Sequence, residues 1–407
     1  MDPSIKPYKI NVSDSAIQNL HAKLDNANFP SETPLTDSWD YGVPVSHIKR
    51  LVNHWRNGFD WRAAEAKLNE IPQYTTTISV DGFGDLDIHF VWQKSTQPGA
   101  VPLLFCHGWP GSFYESLKLI PLLTTETSGL SFDVVAPSLP NFGFSQGSDK
   151  PGFRMPQYAE VMHKVMLKLG YEQYVTQGGD WGFLITRFMG LKYPDHVLAS
   201  HLNMVQAKPP SPFKNPLQYI KSLWPHTDQE KKGLERTTWF AKEGYGYNLE
   251  QQTRPATLGI GLADSPVAVL AWIYEKLHDW TDGYPWTDDE ILTWISIYQF
   301  STMGPEASVR IYYEVRHPTA HTEQFGWIPR VKLGVSIFPM DLFVPPISHA
   351  KTLGPVVFAV THGDGGHFAA YERPKILAKD LRQMFGKGGG AHDVAQRLSQ
   401  GRVQAKL

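Results

Sequence analysis

This 407-residue chain is short of cysteine and of net charge. Its single cysteine, Cys106, excludes an internal disulfide framework and a zinc site built on cysteines. The 38 basic and 40 acidic side chains nearly cancel, so there is no electrostatic reason to expect nucleic acid or an anionic membrane surface as a partner. A hydrophobic fraction of 42% nevertheless provides ample material for a globular core.

Long apolar runs and the common cofactor motifs are also missing. No run is long enough to cross a bilayer, and residues 1–6 do not begin a signal peptide, so we expect a soluble, cytoplasmic protein without a transmembrane anchor. The chain contains no phosphate-binding loop, dinucleotide fingerprint or His-Glu-x-x-His zinc motif. We therefore expect no cofactor and no metal.

Segment 178–182 (GGDWG) has the pattern of a nucleophile elbow, the sharp strand-to-helix turn of α/β-hydrolases, with Asp180 where esterases carry serine. Residues 171–177 have the pattern of a strand, and residues 183–193 that of a helix. A carboxylate is ionised at neutral pH, so it can attack a saturated carbon without a base and form an alkyl ester. Asp180 is the candidate nucleophile; the alternative is that it only caps the helix.

A second segment, 143–147 (GFSQG), matches the serine-hydrolase pattern around Ser145. A proline-containing loop precedes it, and the following residues 148–152 (SDKPG) cannot begin a helix. Because the motif lacks a strand before it and a helix after it, we do not expect Ser145 to be the nucleophile.

The fold follows from the alternation of strand-like and helical segments. Eight segments have strand patterns: 75–80, 86–93, 102–106, 132–136, 172–177, 199–205, 333–338 and 355–361. Two glycines in residues 81–85 favour a hairpin between the first two, and the later segments alternate with helices, as in parallel βαβ units. We expect an α/β-hydrolase fold with an eight-stranded, mostly parallel sheet.

The domains are predicted from where the strand pattern lapses. Residues 207–331 are helical and rich in tryptophan, which indicates a helical lid over a core formed by residues 75–206 and 332–385. Residues 1–74 are predicted to be an N-terminal extension packed on the core. Residues 386–407 begin with a glycine-rich stretch and are predicted to be a flexible tail.

An elbow nucleophile in this fold is followed along the chain by an acid and then a histidine. Asp341 and His367 come directly after the last two strand-like segments. An imidazole that a carboxylate orients can activate the water that cleaves an alkyl ester. His362 and Asp364, in the same loop as His367, remain alternative candidates.

The loop after the third strand-like segment, 107–111 (HGWPG), is placed to form half of an oxyanion hole. The backbone N–H groups of Trp109 and Trp181 are the candidate donors. They would stabilise the oxyanion that forms when water attacks the ester of Asp180.

Four motifs together have the features of one known family: 107–110 (HGWP), 179–182 (GDWG), 338–341 (FPMD) and 365–370 (GGHFAA). Over nearly its whole length the chain resembles epoxide hydrolases of the α/β-hydrolase fold, the microsomal type with its soluble fungal members. The resemblance implies that Asp180 is the nucleophile, His367 the base and Asp341 its orienting acid, a position where many relatives carry Glu. The implied substrates are an epoxide and water, and the product is a vicinal diol.

The same family places two lid tyrosines over the epoxide oxygen, and Tyr247 and Tyr312 match their motifs. A phenol has a pKa of about 10, so it is protonated at neutral pH and can give its proton to the alkoxide that ring opening produces. The neighbours Tyr245 and Tyr313 remain alternative donors.

Two other functions are compatible with an aspartate elbow. Haloalkane dehalogenases use the same nucleophile and place a halide-binding indole at the position of Trp181, but they need no pair of lid phenols. A catalytically inactive binding protein would not need Asp180, Asp341 and His367 together. The aromatic lid indicates a lipophilic epoxide and offers surface for a homodimer.

Overall fold

One nine-stranded sheet runs through the part of the chain that the computed structural model describes, residues 2–317 and 323–404. In chain order the strands are β1 (Lys6–Tyr8), β2 (Gln73–Val80), β3 (Gly84–Gln93), β4 (Val101–Cys106), β5 (Phe132–Pro137), β6 (Tyr174–Gly178), β7 (Val197–Leu202), β8 (Lys332–Ile337) and β9 (Val356–Thr361). Their order across the sheet is β1-β2-β3-β5-β4-β6-β7-β8-β9. The pairs from β1 to β5 are antiparallel, and the pairs from β5 to β9 are parallel.

The α/β-hydrolase fold is confirmed, and all eight predicted strands are present. Each begins and ends within three residues of its predicted bounds. The predicted hairpin joins β2 to β3, with Val80 opposite Gly84 next to the turn. The additional strand is β1, which pairs with β2 at the edge of the sheet, so the N-terminal extension is part of the sheet.

Helices cover the sheet and fill the interval between β7 and β8. They are α1 (Asp14–Asp25), α2 (Val45–Asn57), α3 (Trp61–Leu68), α4 (Ile120–Thr124), α5 (Met155–Lys168), α6 (Trp181–Lys192), α7 (Pro216–Ser222), α8 (Asp228–Trp239), α9 (Gly246–Thr253), α10 (Pro255–Asp264), α11 (Pro266–Asp279), α12 (Asp288–Gln299), α13 (Arg310–Arg316), α14 (Ile347–Ala350), α15 (Ala369–Glu372), α16 (Pro374–Phe385) and α17 (His392–Gln404). Local sequence defines some of their ends: at α12, Thr287 and Glu290 form a capping box.

Helices α7 to α13 occupy the region predicted to be the lid, and the N-terminal extension contacts this region as well as the sheet. Helices α1 and α2 pack against α11. The Lys23 Nζ donates a hydrogen bond of 2.6 Å to the carbonyl oxygen of Asp264 at the end of α10, and Arg50 pairs with Asp288 at the start of α12. The extension therefore braces the lid region, although the proposed domain bounds remain a prediction.

The prediction of a flexible tail is wrong for most of residues 386–407. Residues His392–Gln404 form α17, which packs against α16 and β4 and buries Val394, Ala395 and Leu398. These apolar residues share one face of the helix, as in an amphipathic helix. The prediction gave more weight to the glycines that precede them than to this pattern. Those glycines form the tight turn after α16, where Gly388 has a φ of 84°.

No single helix in residues 2–317 and 323–404 is long and apolar enough to cross a membrane. One pair, α10 with α11, meets the length and composition test together but is bent by 117° at the break. The predicted cytoplasmic location remains a prediction.

The parallel part of the sheet brings four strand ends together. The carboxyl ends of β4, β6, β8 and β9 lie at one edge, and the segments that leave them carry Trp109, Asp180, Asp341 and His367. In open α/β sheets this edge is where ligands bind. The region from α7 to α13 contributes the remaining wall.

Close packing at the start of α6 provides a test of the fold. A Cβ at Gly182 would lie 1.9 Å from the carbonyl oxygen of Cys106 at the end of β4. We expect Gly182→Ala to lower the stability by about 1–3 kcal/mol, because overpacking outweighs the better helix propensity of alanine. The shift of the urea-unfolding midpoint measures this effect.

The matched control is Gly261→Ala in α10, where a Cβ would meet no atom within 4 Å. This change should be neutral or stabilising by up to about 1 kcal/mol. Equal effects of the two substitutions would contradict the close approach of α6 and β4.

Candidate active site

Asp180 lies at the sharp turn between β6 and α6 that the sequence predicts. Its φ of 54° and ψ of −126° are unusual for a residue with a side chain, and such backbone strain costs roughly 1–3 kcal/mol at functional sites. Gly178 permits the turn, since a Cβ there would lie 2.5 Å from the carbonyl oxygen of Gly182. The Asp180 side chain makes no capping hydrogen bond to α6, which argues against the alternative of a simple helix cap.

Backbone N–H groups hold the Asp180 carboxylate from the two predicted positions. The Trp109 N–H donates to Oδ1 at 2.8 Å, and the Trp181 N–H lies close enough to the carboxylate to lower its pKa. Gly108 permits this approach, because a Cβ there would lie 2.2 Å from Oδ1. Burial raises the pKa of Asp180, while His367 and the two N–H groups counteract part of that rise.

His367 links the two carboxylates. Its Nδ1 lies 2.8 Å from Oδ1 of Asp341, and its Nε2 lies 3.6 Å from Oδ2 of Asp180. Backbone groups also hold His367 and Asp341 in place. The His367 N–H donates to the carbonyl oxygen of Trp280 at 2.7 Å, and the Leu342 N–H donates to Oδ1 of Asp341 at 2.8 Å. The ring therefore presents Nε2 to the space beside Asp180 while Nδ1–H donates to Asp341.

The charges around His367 favour its protonated form. Burial disfavours a charged imidazole, but the hydrogen bond and charge of Asp341, together with Asp180 and Glu115, raise the pKa of His367 on balance. The short side chain of Asp341 is long enough to reach the ring, as its distance of 2.8 Å from Nδ1 shows.

The alternative candidates in the His367 loop have other partners. His362 Nε2 lies 2.7 Å from Oδ2 of Asp380, and Asp364 accepts a hydrogen bond of 2.7 Å from Nε of Arg373. Neither residue lines the cavities next to Asp180. Of His362 and His367, it is His367 that lies beside Asp180, the candidate nucleophile.

Tyr247 and Tyr312 stand over Asp180, from α9 and α13 in the region predicted to be the lid. Both rings are buried, with centroids 5.9 Å apart. Tyr247 stacks on Trp109 at 5.2 Å, and Tyr312 meets Trp181 edge-on at 4.8 Å. Burial and the nearby negative charge of Asp180 raise the pKa of both phenols, so both keep their protons at neutral pH.

The two alternative tyrosines are placed differently. Tyr313 is 39% exposed and stacks on His317, away from the cavity that Asp180 lines. Tyr245 is half-buried at the wall of that cavity, where it packs edge-on against Phe240. The geometry therefore favours Tyr247 and Tyr312 as the pair that faces the nucleophile.

A cavity of about 250 Å³ lies between the nucleophile and these tyrosines. Its wall is mainly apolar and aromatic, with a few polar side chains. The residues besides Asp180, Tyr245, Tyr247 and Tyr312 are Trp181, Leu184, Met204, Gln206, Phe240, Asn248, Gln252, Val315, Arg316, Phe325, Leu342 and Phe343. Such a wall suits a small lipophilic ligand.

Ser145 has a structural role. Its hydroxyl accepts from the His89 N–H at 2.9 Å and donates to the carbonyl oxygen of Ser138 at 2.8 Å, inside an irregular buried loop. Among the described residues around it, no strand leads directly into this segment and no helix directly follows it, as the sequence predicts, which supports the prediction that Ser145 is not the nucleophile.

Comparison with known proteins agrees with this geometry. Residues 5–116 match the family model "Epoxide hydrolase N terminus", and residues 101–241 match the model of the alpha/beta hydrolase fold. Epoxide hydrolase 1 of Sus scrofa is 36% identical over an alignment of 418 positions that covers 95% of this chain and 89% of that protein. The chain belongs to the epoxide hydrolase family, and it is an enzyme.

Solved structures of the family have the same architecture. The structure of the Aspergillus niger epoxide hydrolase superposes with a TM-score of 0.82 at 35% identity, covering 93% of this chain and 95% of that one. The juvenile hormone epoxide hydrolase of the silkworm Bombyx mori gives a TM-score of 0.83 at 29% identity, covering 97% of this chain and 95% of that one. Both likenesses include the N-terminal extension of this enzyme.

Two residues beside the predicted site, Trp280 and Glu115, were not predicted from the sequence. Trp280 accepts the hydrogen bond of the His367 N–H, and its ring lies edge-on to the imidazole at 5.1 Å. Glu115 is buried close to both His367 and Asp180. The only sequence signal for Glu115 was its place four residues after the HGWPG segment, because the serines and the lysine around it gave no sign that it is buried.

The environment of His367 predicts a pH dependence. As the predicted base, His367 could accept a proton only when Nε2 is unprotonated, and its pKa is raised above the ordinary value of about 6.5. We expect kcat for a probe such as styrene oxide to fall as the pH is lowered through this raised pKa. A pH–kcat profile measures the midpoint of the acid limb.

Replacing Asp341 by Asn removes the charge that raises this pKa most. The acid limb of Asp341→Asn should move to lower pH, and its plateau should fall by roughly 10²–10⁴-fold because the ring loses its orienting partner. An acid limb at the wild-type position in this variant would show that His367 is not the titrating base.

Proposed function

We propose that this enzyme opens a lipophilic epoxide to a vicinal diol through a covalent ester on Asp180. The observation that carries the proposal is the arrangement around that carboxylate: His367 on one side, two buried phenols on the other, and two N–H donors at its oxygens. Membership of the epoxide hydrolase family supports the substrate class.

The first step is attack by an Asp180 oxygen on a carbon of the epoxide ring. The new C–O bond forms the ester, the ring C–O bond breaks, and the alkoxide takes a proton from Tyr247 or Tyr312. This proton transfer is downhill, since an alkoxide is far more basic than a phenolate. Two donors also polarise the ring C–O bond before it breaks.

The second step is hydrolysis of the ester. His367 Nε2 removes a proton from a water molecule, whose oxygen attacks the Asp180 carbonyl carbon, and the N–H groups of Trp109 and Trp181 hold the resulting oxyanion. Collapse releases the diol oxygen, which takes the proton from His367. The proton left on the Asp180 carboxyl group restores the phenol, so all atoms and charges balance.

The pair of phenols also supports an epoxide over a haloalkane. A departing halide is a weak base that needs N–H donors and no proton, whereas an alkoxide needs one. Tyr247 and Tyr312, both buried beside Asp180, are suited to the second task. The aromatic and aliphatic cavity wall supports a lipophilic substituent on the ring.

We propose that this enzyme forms a homodimer. The only support is a group of exposed apolar side chains in the region predicted to be the lid. Phe213, Leu217 and Trp224, around α7, are 96%, 70% and 68% exposed. Grouped apolar side chains of this kind are typical of interaction surfaces.

The covalent step is tested by stalling the second one. His367→Gln should still form the ester with styrene oxide but lose the base for the water, so one substrate should accumulate on each chain. Intact-protein mass spectrometry should show a mass increase of one epoxide, and peptide mapping should place it on the Asp180 peptide. Asp180→Ala is the control and should form no adduct. Fast diol release by His367→Gln without an adduct would contradict the mechanism.

The tyrosine roles are tested by removing the hydroxyl groups singly and together. Each of Tyr247→Phe and Tyr312→Phe should slow adduct formation by about tenfold, because the other phenol can still donate, and the double variant should lose the roughly 10²–10⁴-fold typical of general acid catalysis. Stopped-flow or quenched single turnovers measure the rate. Tyr313→Phe, outside the cavity, is the control and should react at the native rate. A native rate in the double variant would instead direct attention to Tyr245.

A further inference from the structure

A second, much smaller cavity lies near Asp180. Its volume is about 10 Å³, and its lining includes Asp180, His367, Glu115, Gln177 and Asn203. A polar cavity of about 10–15 Å³ is the size that holds one water molecule. Because Asp180 lines this cavity as well as the larger one, the cavity lies within reach of the carboxyl group that carries the ester in the proposed mechanism.

Gln177 offers an unused acceptor at this cavity. Its side chain is buried at the end of β6, and its Nε2 donates to Oδ1 of Asn203 at 2.7 Å. Its Oε1 is buried without a hydrogen-bond partner among the residues that the structure describes. A buried acceptor left unpaired costs roughly 1–3 kcal/mol, so a water hydrogen is the partner we expect for it.

Glu115 contributes a carboxyl group from the other side. It lies in the short turn Phe113–Ser116, and it is buried without an ion pair to lysine or arginine among residues 2–317 and 323–404. Gly111 makes room for it, since a Cβ there would lie 1.6 Å from Oε1. Burial raises the pKa of Glu115 to about 8, and Asp180 adds to the rise while His367 opposes it. This raised pKa favours the protonated carboxyl group near neutral pH, and that form can both donate and accept a hydrogen bond.

We propose that this cavity is the binding site of the hydrolytic water, and that Glu115 and Gln177 are its positioning residues. Gln177 Oε1 accepts one hydrogen of the water, and the carboxyl group of Glu115 holds its oxygen. The second hydrogen then points to Nε2 of His367, and a lone pair faces the Asp180 carbonyl carbon. This assignment rests on the proposed covalent mechanism and concerns its second step alone.

The proposal predicts that the two chemical steps respond differently to Glu115. In Glu115→Leu the ester should form within about twofold of the native rate, whereas its hydrolysis should slow by roughly 10²-fold, the scale expected when a reacting group is misplaced by about 1 Å. Glu115→Gln, which can still donate and accept, should restore most of the hydrolysis rate. Single turnovers with styrene oxide and excess enzyme, quenched and read by intact-protein mass spectrometry, give both rates.

Two further variants separate positioning from folding. Gln177→Met removes the amide from the same cavity with little change of volume and should show the same selective loss of ester hydrolysis. Glu65→Leu removes a different buried carboxyl group, one hydrogen-bonded to the Val12 N–H, and should leave the ratio of the two rates unchanged even where it lowers stability. If Glu115→Leu does not fold, Gln177→Met alone decides.

The outcomes also distinguish this proposal from the mechanism on which it rests. No adduct in His367→Gln would overturn the covalent mechanism and the water site with it. An adduct in His367→Gln together with native ester hydrolysis in Glu115→Leu and Gln177→Met would overturn only the water site. Equal slowing of both steps in these two variants would show that Glu115 and Gln177 serve the fold rather than the water.

Discussion

The strained turn at Asp180 is the constraint on which the rest of the site depends. A positive φ at this residue turns β6 sharply into α6 and places the carboxylate beside the end of β4. The turn is possible because Gly178 and Gly182 have no Cβ. A Cβ at Gly178 would clash with the carbonyl oxygen of Gly182, and one at Gly182 would clash with that of Cys106. The same turn brings the Trp181 N–H close to the carboxylate, so one turn positions both the proposed nucleophile and one proposed oxyanion donor.

Burial decides how the charges in this site behave. Desolvation raises the pKa of Asp180, of Glu115 and of both lid tyrosines, because each becomes more negative on losing a proton. His367 and nearby backbone N–H groups offset part of the rise in pKa at Asp180 and at Glu115, whereas the charge of Asp180 adds to the rise at Tyr247 and Tyr312. The same buried region therefore contains a carboxylate that neighbouring groups stabilise as an anion, the proposed nucleophile Asp180, and two phenols that keep their protons.

The N-terminal extension and the lid region form a second layer that supports this chemistry. Strand β1 adds to the sheet, while α1 and α2 pack on α11, which leads into Trp280. Trp280 in turn holds the backbone of His367 by a hydrogen bond. Residues far from Asp180 are thus connected through α11 and Trp280 to the imidazole, and they lie in the segment that matches the N-terminal family model.

The sequence by itself determined the eight main strands, the elbow at Asp180 and the order of Asp180, Asp341 and His367, because these depend on local patterns and on where parallel strands end. Only the tertiary structure decided which of several tyrosines face Asp180, since a motif does not say where a ring points. Strand β1 and helix α17 depend on docking against the sheet. The small cavity joins Gln177 at the end of β6 to Glu115 in the turn Phe113–Ser116, which are far apart in sequence and meet only through packing.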